Sequence, residues 1–139
     1  MISACGVICS ECPAFHGAAK GRAHQRRTAQ AWQRIYGLRE PPENVSCGGC
    51  LGPDDELFHT SRGCGARRCC LGEGYATCAE CPKQTCPDLE RAQAVWDGVP
   101  ETAAALSRTD YARYAKAYCG HRERLAGARR GARPHRDAD

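Results

Sequence analysis

Residues 47–51 read Cys-Gly-Gly-Cys-Leu, and that pentapeptide decides how the chain folds. Two cysteines separated by two residues aim both sulfurs at one point across a tight turn. The glycines between them tolerate positive φ and let backbone N–H groups face the sulfurs. Such N–H···S bonds damp thiolate charge and orient the ligands. The grouping recurs on both sides: Cys5, Cys9 and Cys12 precede it, while Cys64 and Cys69, then Cys78, Cys81 and Cys86, follow. Ten of twelve cysteines fall in these clusters, which is the pattern of metal held by thiolates rather than of a disulfide scaffold.

Composition points the same way. Among 139 residues, Leu, Ile, Val and Phe together number only 16, so little apolar burial opposes the entropy of ordering the chain. Metal crosslinks supply the difference, at roughly 10–16 kcal/mol per structural zinc in finger peptides. The metal-free chain is therefore expected to be largely unfolded or molten. The fold class that follows is a small, mainly α, metal-stabilised cysteine-rich domain with zinc-knuckle turns and little β.

Helices are predicted by caps and periodicity. Ser10 suits an N-cap, with Glu11 in the first turn and Pro13 tolerated there, and Gly17 and Gly21 break that helix early. A longer helix is expected over 22–36, with Ala29, Trp32, Ile35 and Tyr36 on one stripe and Gly37 as its stop. Helical character is expected over 64–71, from Pro82 or Pro87 to about Trp96, and over 109–125 with Thr109 as cap. Tyr111, Tyr114 and Tyr118 would share one face of that last helix. From Gly127 the chain has no periodicity and reads as disordered. The division is a cysteine-rich metal-binding domain over 1–96, a helical extension over 97–126 and a basic tail over 127–139.

No apolar run approaches membrane-spanning length and no secretory signal precedes Cys5, so a cytoplasmic protein without membrane attachment is expected. A reducing compartment favours metal over disulfides. The net charge is +4, and residues 115–139 supply it, with seven basic and three acidic groups. A second basic stretch holds Lys20, Arg22, Arg26, Arg27, Arg34 and Arg39. The expected partner is another protein, with nucleic acid, met through this helix and the tail, as the alternative.

Cys47, Cys50, Cys64 and Cys69 are the favoured tetrahedral set. The triads Cys5/Cys9/Cys12 and Cys78/Cys81/Cys86 then each need a fourth ligand or share ions, with His16 and His59 as the histidine options. Cys5-x3-Cys9-x2-Cys12 also has the spacing with which radical S-adenosylmethionine enzymes hold a [4Fe–4S] cluster, although no βα alternation of their barrels is visible. Cys70 and Cys119 lie outside the pattern. Arg67 and Arg68 beside Cys70 would lower its thiol pKa and make it a reactive thiol, against the plainer reading of a packed cysteine. No paired-carboxylate, Ser-His-Asp or phosphate-loop arrangement appears, so no catalytic residue is assigned.

The chain resembles the uncharacterised family known as domain of unknown function 3795. The matching stretches are CGVICSECPAF (5–15), AWQRIYG (31–37), CGGCL (47–51), CGARRC (64–69) and CAECPKQTCPDLE (78–90). The resemblance implies that the ten clustered cysteines are the zinc ligands, and it implies no activity. The function expected is a structural zinc-binding protein, holding two or three ions and acting as an interaction module. The alternative is an iron–sulfur redox or electron-transfer protein carrying a [4Fe–4S] cluster.

Overall fold

The computed structural model describes residues 1–83 and 86–137, with side chains as far as residue 131. The described residues are mainly helical and contain no strand. The helices are α1 (Gly17–Lys20), α2 (Arg22–Tyr36), α3 (Gly65–Glu73), α4 (Pro87–Ala94), α5 (Val99–Ala103), α6 (Arg108–Tyr114) and α7 (His121–Asp137). Short 3-10 turns link them, and the β-structure amounts to two isolated bridges, Ile2 with Ile8 and Phe15 with Cys47. No helix among the described residues is long and apolar enough to cross a membrane.

Helix α2 starts and stops where its sequence says. Gly37 takes φ +68° and its N–H returns to Gln33 O at 3.0 Å, while Leu38 N–H reaches Trp32 O, an αL stop that satisfies the last carbonyls. Its buried stripe carries Gln25, Thr28, Ala29 and Trp32. Trp32 packs with Ala14, Ala29 and Val45 and meets Phe58 edge-on at 5.6 Å. This small core sits beside a larger one built from Ala4, Val7, Leu89, Val99, Tyr118 and Leu125, in which Cys5, Cys70 and Cys78 are also buried. Sulfur therefore occupies the centre that aliphatic side chains fill in an ordinary domain of this size.

Loop 45–47 closes onto the N-terminal segment at close quarters. A Cβ on Gly17 would stand 2.0 Å from Val45 O, and Val45 is fully buried. Gly17→Ala is therefore expected to cost about 1–3 kcal/mol through overpacking. Gly63→Ala, with nothing within 4 Å of its Cβ position, should stay within about 0.5 kcal/mol. Equal urea midpoints for the two variants would contradict the close approach.

Four sequence expectations are corrected. No helix grows from Ser10; a 3-10 turn spans Cys9–Glu11 and Cys12 is already extended, because the sulfurs of Cys9 and Cys12 must face the same loop. Residues 97–100 do not merely close α4, since Pro100 sits in the first turn of α5, where its missing N–H costs nothing. The helix expected over 109–125 is broken. Ser107, not Thr109, caps α6, its Oγ accepting Asp110 N–H at 3.1 Å, and Gly120 at φ +70° separates α6 from α7. Tyr118 lies in the 3-10 turn Lys116–Tyr118 between them, so the three tyrosines do not share a helix face. Finally, α7 runs on through residue 127 to Asp137 where a disordered tail was expected. The side chain of Arg129 anchors it, as described below; residues 138 and 139 lie outside the described residues.

Candidate metal centre

Two turns in this chain are copies of each other. Cys9-Ser-Glu-Cys12-Pro13 and Cys78-Ala-Glu-Cys81-Pro82 share the pattern Cys-x-Glu-Cys-Pro. Each folds into one 3-10 turn that begins at its first cysteine and leaves the second extended, Cys12 at φ −73°, ψ 133° and Cys81 at φ −70°, ψ 132°. In each, the second cysteine's N–H returns to the first one's carbonyl, at 3.0 Å and 3.1 Å. The repeat is plain in the sequence, yet spacing between cysteines alone does not disclose it; the shared Glu and Pro do.

The first turn faces the Cys47–Cys50 loop. His16 N–H donates to Cys47 O at 2.8 Å beside the Phe15–Cys47 bridge, which docks the loop against Cys9 and Cys12. Burial pushes the Cys9 thiol up to about 12; the N–H of Cys50 counters this, while the charges of Cys50, Cys12 and Cys47 add to it. Cys12 is raised by burial too, against hydrogen bonds from Tyr118 and from the backbone of Ala14 and Phe15, with Cys47 adding repulsion. These four sulfurs therefore share one neighbourhood. Cys50 is pushed up to about 11 by burial, its further charged neighbours being Cys5, Cys64 and Cys70.

The loop that carries Cys47 and Cys50 thus meets the N-terminal turn, with Cys64 also a neighbour of Cys50, and Cys69 is exposed. The second turn lies near Cys5, Cys70 and Cys86. Cys78 N–H donates to Ala4 O at 3.0 Å, which brings Cys78 beside Cys5, and its thiol is raised by burial and then by Cys70, with Cys86 and Cys5 contributing. Cys86 caps α4, its Sγ accepting Leu89 N–H at 3.3 Å.

The C-terminal extension covers both turns. Ile8 N–H donates to Ala117 O at 2.9 Å and Tyr118 Oη lies 2.9 Å from Cys12 Sγ, with the Tyr118 ring stacked on Trp96 at 4.7 Å. At the second turn, Arg129 donates to the carbonyls of Cys81, Lys83 and Cys78 at 2.7, 3.0 and 3.1 Å. Arg122 fixes α7 to Glu90 of α4 and to Asp97 just beyond it. Tyr118→Phe keeps the stacking and loses only the bond to sulfur. It is expected to lower stability by about 1 kcal/mol and to weaken metal affinity about tenfold. An unchanged competition titration against a chromophoric chelator would contradict this role for the hydroxyl.

The remaining candidates separate cleanly. His59 is held by Glu40 at 2.6 Å on the surface, and the ring of His16 lies against Phe15. Cys70 is buried, and burial raises its thiol pKa, with the bond to Cys78 opposing and Cys69, Cys81 and Cys64 adding to it. That environment corrects the reactive-thiol reading, because Arg67 points away, toward Cys50 O and Gly52 O. Cys119 faces the Tyr111 hydroxyl. A groove of about 440 Å³ beside Cys12 is lined by Lys20, His24, Arg27 and Arg113. The donor chemistry of both thiol groups fits a thiophilic ion. All twelve cysteines are free thiols. No group of three or more His, Cys, Asp or Glu side chains among the described residues is gathered tightly enough to hold an ion as it stands.

A family model described as a protein of unknown function, DUF3795, matches residues 1–91. No curated protein matches the chain, and no solved structure does.

Proposed function

The chain belongs to the DUF3795 family of proteins of unknown function, and on that premise we propose that it is a structural zinc protein serving as an interaction module. The observation that carries the reading is the meeting of Cys9 and Cys12 with Cys47 and Cys50, segments far apart in sequence, around a shared neighbourhood. These four would hold one ion. Cys5, Cys64, Cys78, Cys81 and Cys86 supply ligands for a second group, giving about two ions in all for four-coordinate zinc. Bound zinc would act as a crosslink in place of an aliphatic core.

A site closed by four thiolates leaves no coordination position for substrate, which supports a structural ion. The outward surface then carries the role. The groove is lined by Lys20, Arg27 and Arg113 against a single acidic residue, Glu11. This net positive lining suits an acidic segment of a protein partner, since an excess of one charge concentrates a counter-charged ligand. Arg22 and Arg34 are already paired with Glu43 and Asp110, which weakens the case for α2 as a continuous nucleic-acid stripe.

Elemental mass spectrometry and an absorption spectrum of protein purified without oxygen test the reading. Zinc at about two ions per chain and no visible band is the expected result. Iron with sulfide and a broad band near roughly 400 nm would replace it with an iron–sulfur redox protein.

A further inference from the structure

We propose that Cys70, not Cys69, supplies the thiolate of α3, and that Cys70 binds one buried ion together with Cys78 and Cys81. The inference rests on the zinc reading above and deepens it by naming ligands of the second site. Adjacent residues on an α-helix point about 100° apart, so at most one of this pair faces the core. Cys70 does, at 1% exposure, and Cys69 is exposed.

The geometry at Cys70 is that of neighbouring ligands. Its Sγ stands 3.7 Å from Cys78 Sγ. Four sulfurs at zinc–sulfur distances of about 2.3 Å form a tetrahedron with edges of about 3.8 Å, whereas a disulfide requires about 2.05 Å. Cys78 opens the second Cys-x-Glu-Cys-Pro turn, whose twin at Cys9 presents both of its cysteines to one loop. Cys81 therefore accompanies Cys78, and it is also a charged neighbour of Cys70. The fourth position falls to a thiol flanking the pair, Cys5, Cys64 or Cys86.

The spacing Cys64-x4-Cys69 conceals this arrangement, because it draws attention to the wrong member of a Cys-Cys doublet. Arg67 and Arg68 beside Cys70 suggest an activated thiol only until the side chains are placed. Arg67 turns to the 50–52 loop, and Cys70 turns inward.

The test is a proton–cadmium correlation spectrum of the full chain reconstituted with cadmium-113, together with the metal stoichiometry of Cys69→Ser. The expected result is cross-peaks from the Hβ protons of Cys70, Cys78 and Cys81 to a single cadmium resonance, none from Cys69, and no ion lost in Cys69→Ser. Cross-peaks from Cys69 without Cys70, or loss of one ion per chain in Cys69→Ser, would overturn the assignment while leaving the zinc reading intact. Cross-peaks only from the Cys9/Cys12/Cys47/Cys50 set would overturn it in the same way. A chain that retains neither cadmium nor zinc would remove the zinc reading itself.

Discussion

Stripping metal from the full chain with a chelator is expected to abolish its near-UV circular dichroism and leave at most fluctuating helix. Domains of this size are stable by only about 5–15 kcal/mol, while a structural zinc contributes roughly 10–16 kcal/mol in finger peptides. Losing even one ion would therefore remove a free energy comparable to the whole margin. The core would offer little to replace it: its larger cluster is filled by alanines, by Val7, Leu89, Val99, Tyr118 and Leu125, and by sulfurs, and neither Ala nor Cys buries much surface. Structure that survives chelation carries its own pH signature. The Cys9 thiol, raised by burial to about 12 from an ordinary 9.0, binds its proton more tightly folded than unfolded. Its contribution is complete below pH 9 and lost as pH rises from there toward 12. A chelated chain with an intact near-UV spectrum, stable through that window, would show that the metal is not what orders the fold.

The legible and illegible parts of this fold divide along a physical line. Helix α2 was readable because its stripe, its length and its Gly37 stop are all local. The cysteine clusters were readable as clusters because their spacing is local too. Which cluster meets which was not, since loop closure between Cys12 and Cys47 depends on Phe15, His16 and Gly17 fitting against residues 45–47, a tertiary match with no periodic signal. The C-terminal extension misled for a related reason. Tyr111, Tyr114 and Tyr118 keep helical spacing, but Tyr118 leaves the helix to reach Cys12, and the only local hint is Gly120. Arg-rich residues beyond 127 look unstructured in isolation, whereas Arg129 finds three carbonyls around the second Cys-x-Glu-Cys-Pro turn. Nothing in composition distinguishes an arginine with acceptors waiting from one without.

Arg67 shows the same principle at its sharpest and carries the second large expected effect. Its side chain is 2% exposed, in the first turns of α3. Its Nε and Nη2 donate to Cys50 O and Gly52 O, both at 2.6 Å, and its Nη1 meets Asp54 at 2.7 Å. One planar guanidinium thus spans the loop that follows the Cys-Gly-Gly-Cys motif and ties it to the helix that carries Cys70. Hydrogen bonds to charged groups contribute about 1.5–3 kcal/mol each. The Asp54 pair adds little, because that carboxylate is 71% exposed and solvent screens it. Arg67→Ala is therefore expected to cost about 3–5 kcal/mol, near the loss seen when one partner of a buried ionic contact is removed. Arg67→Lys should recover less than half, since an ammonium is a point donor and cannot fork across two carbonyls. Arg68→Ala is the control: Arg68 is exposed and makes a single 3.3 Å bond to Arg62 O, so a change within about 0.5 kcal/mol is expected. Urea unfolding of the zinc-loaded proteins measures all three. The loop held by Arg67 also presents Cys47 and Cys50, so Arg67→Ala should release zinc to a competing chelator faster than Arg68→Ala does. Equal stabilities and equal release rates for the two alanine variants would mean that the ligand loop is held by its own glycines and sulfurs, and that the arginine is incidental to it.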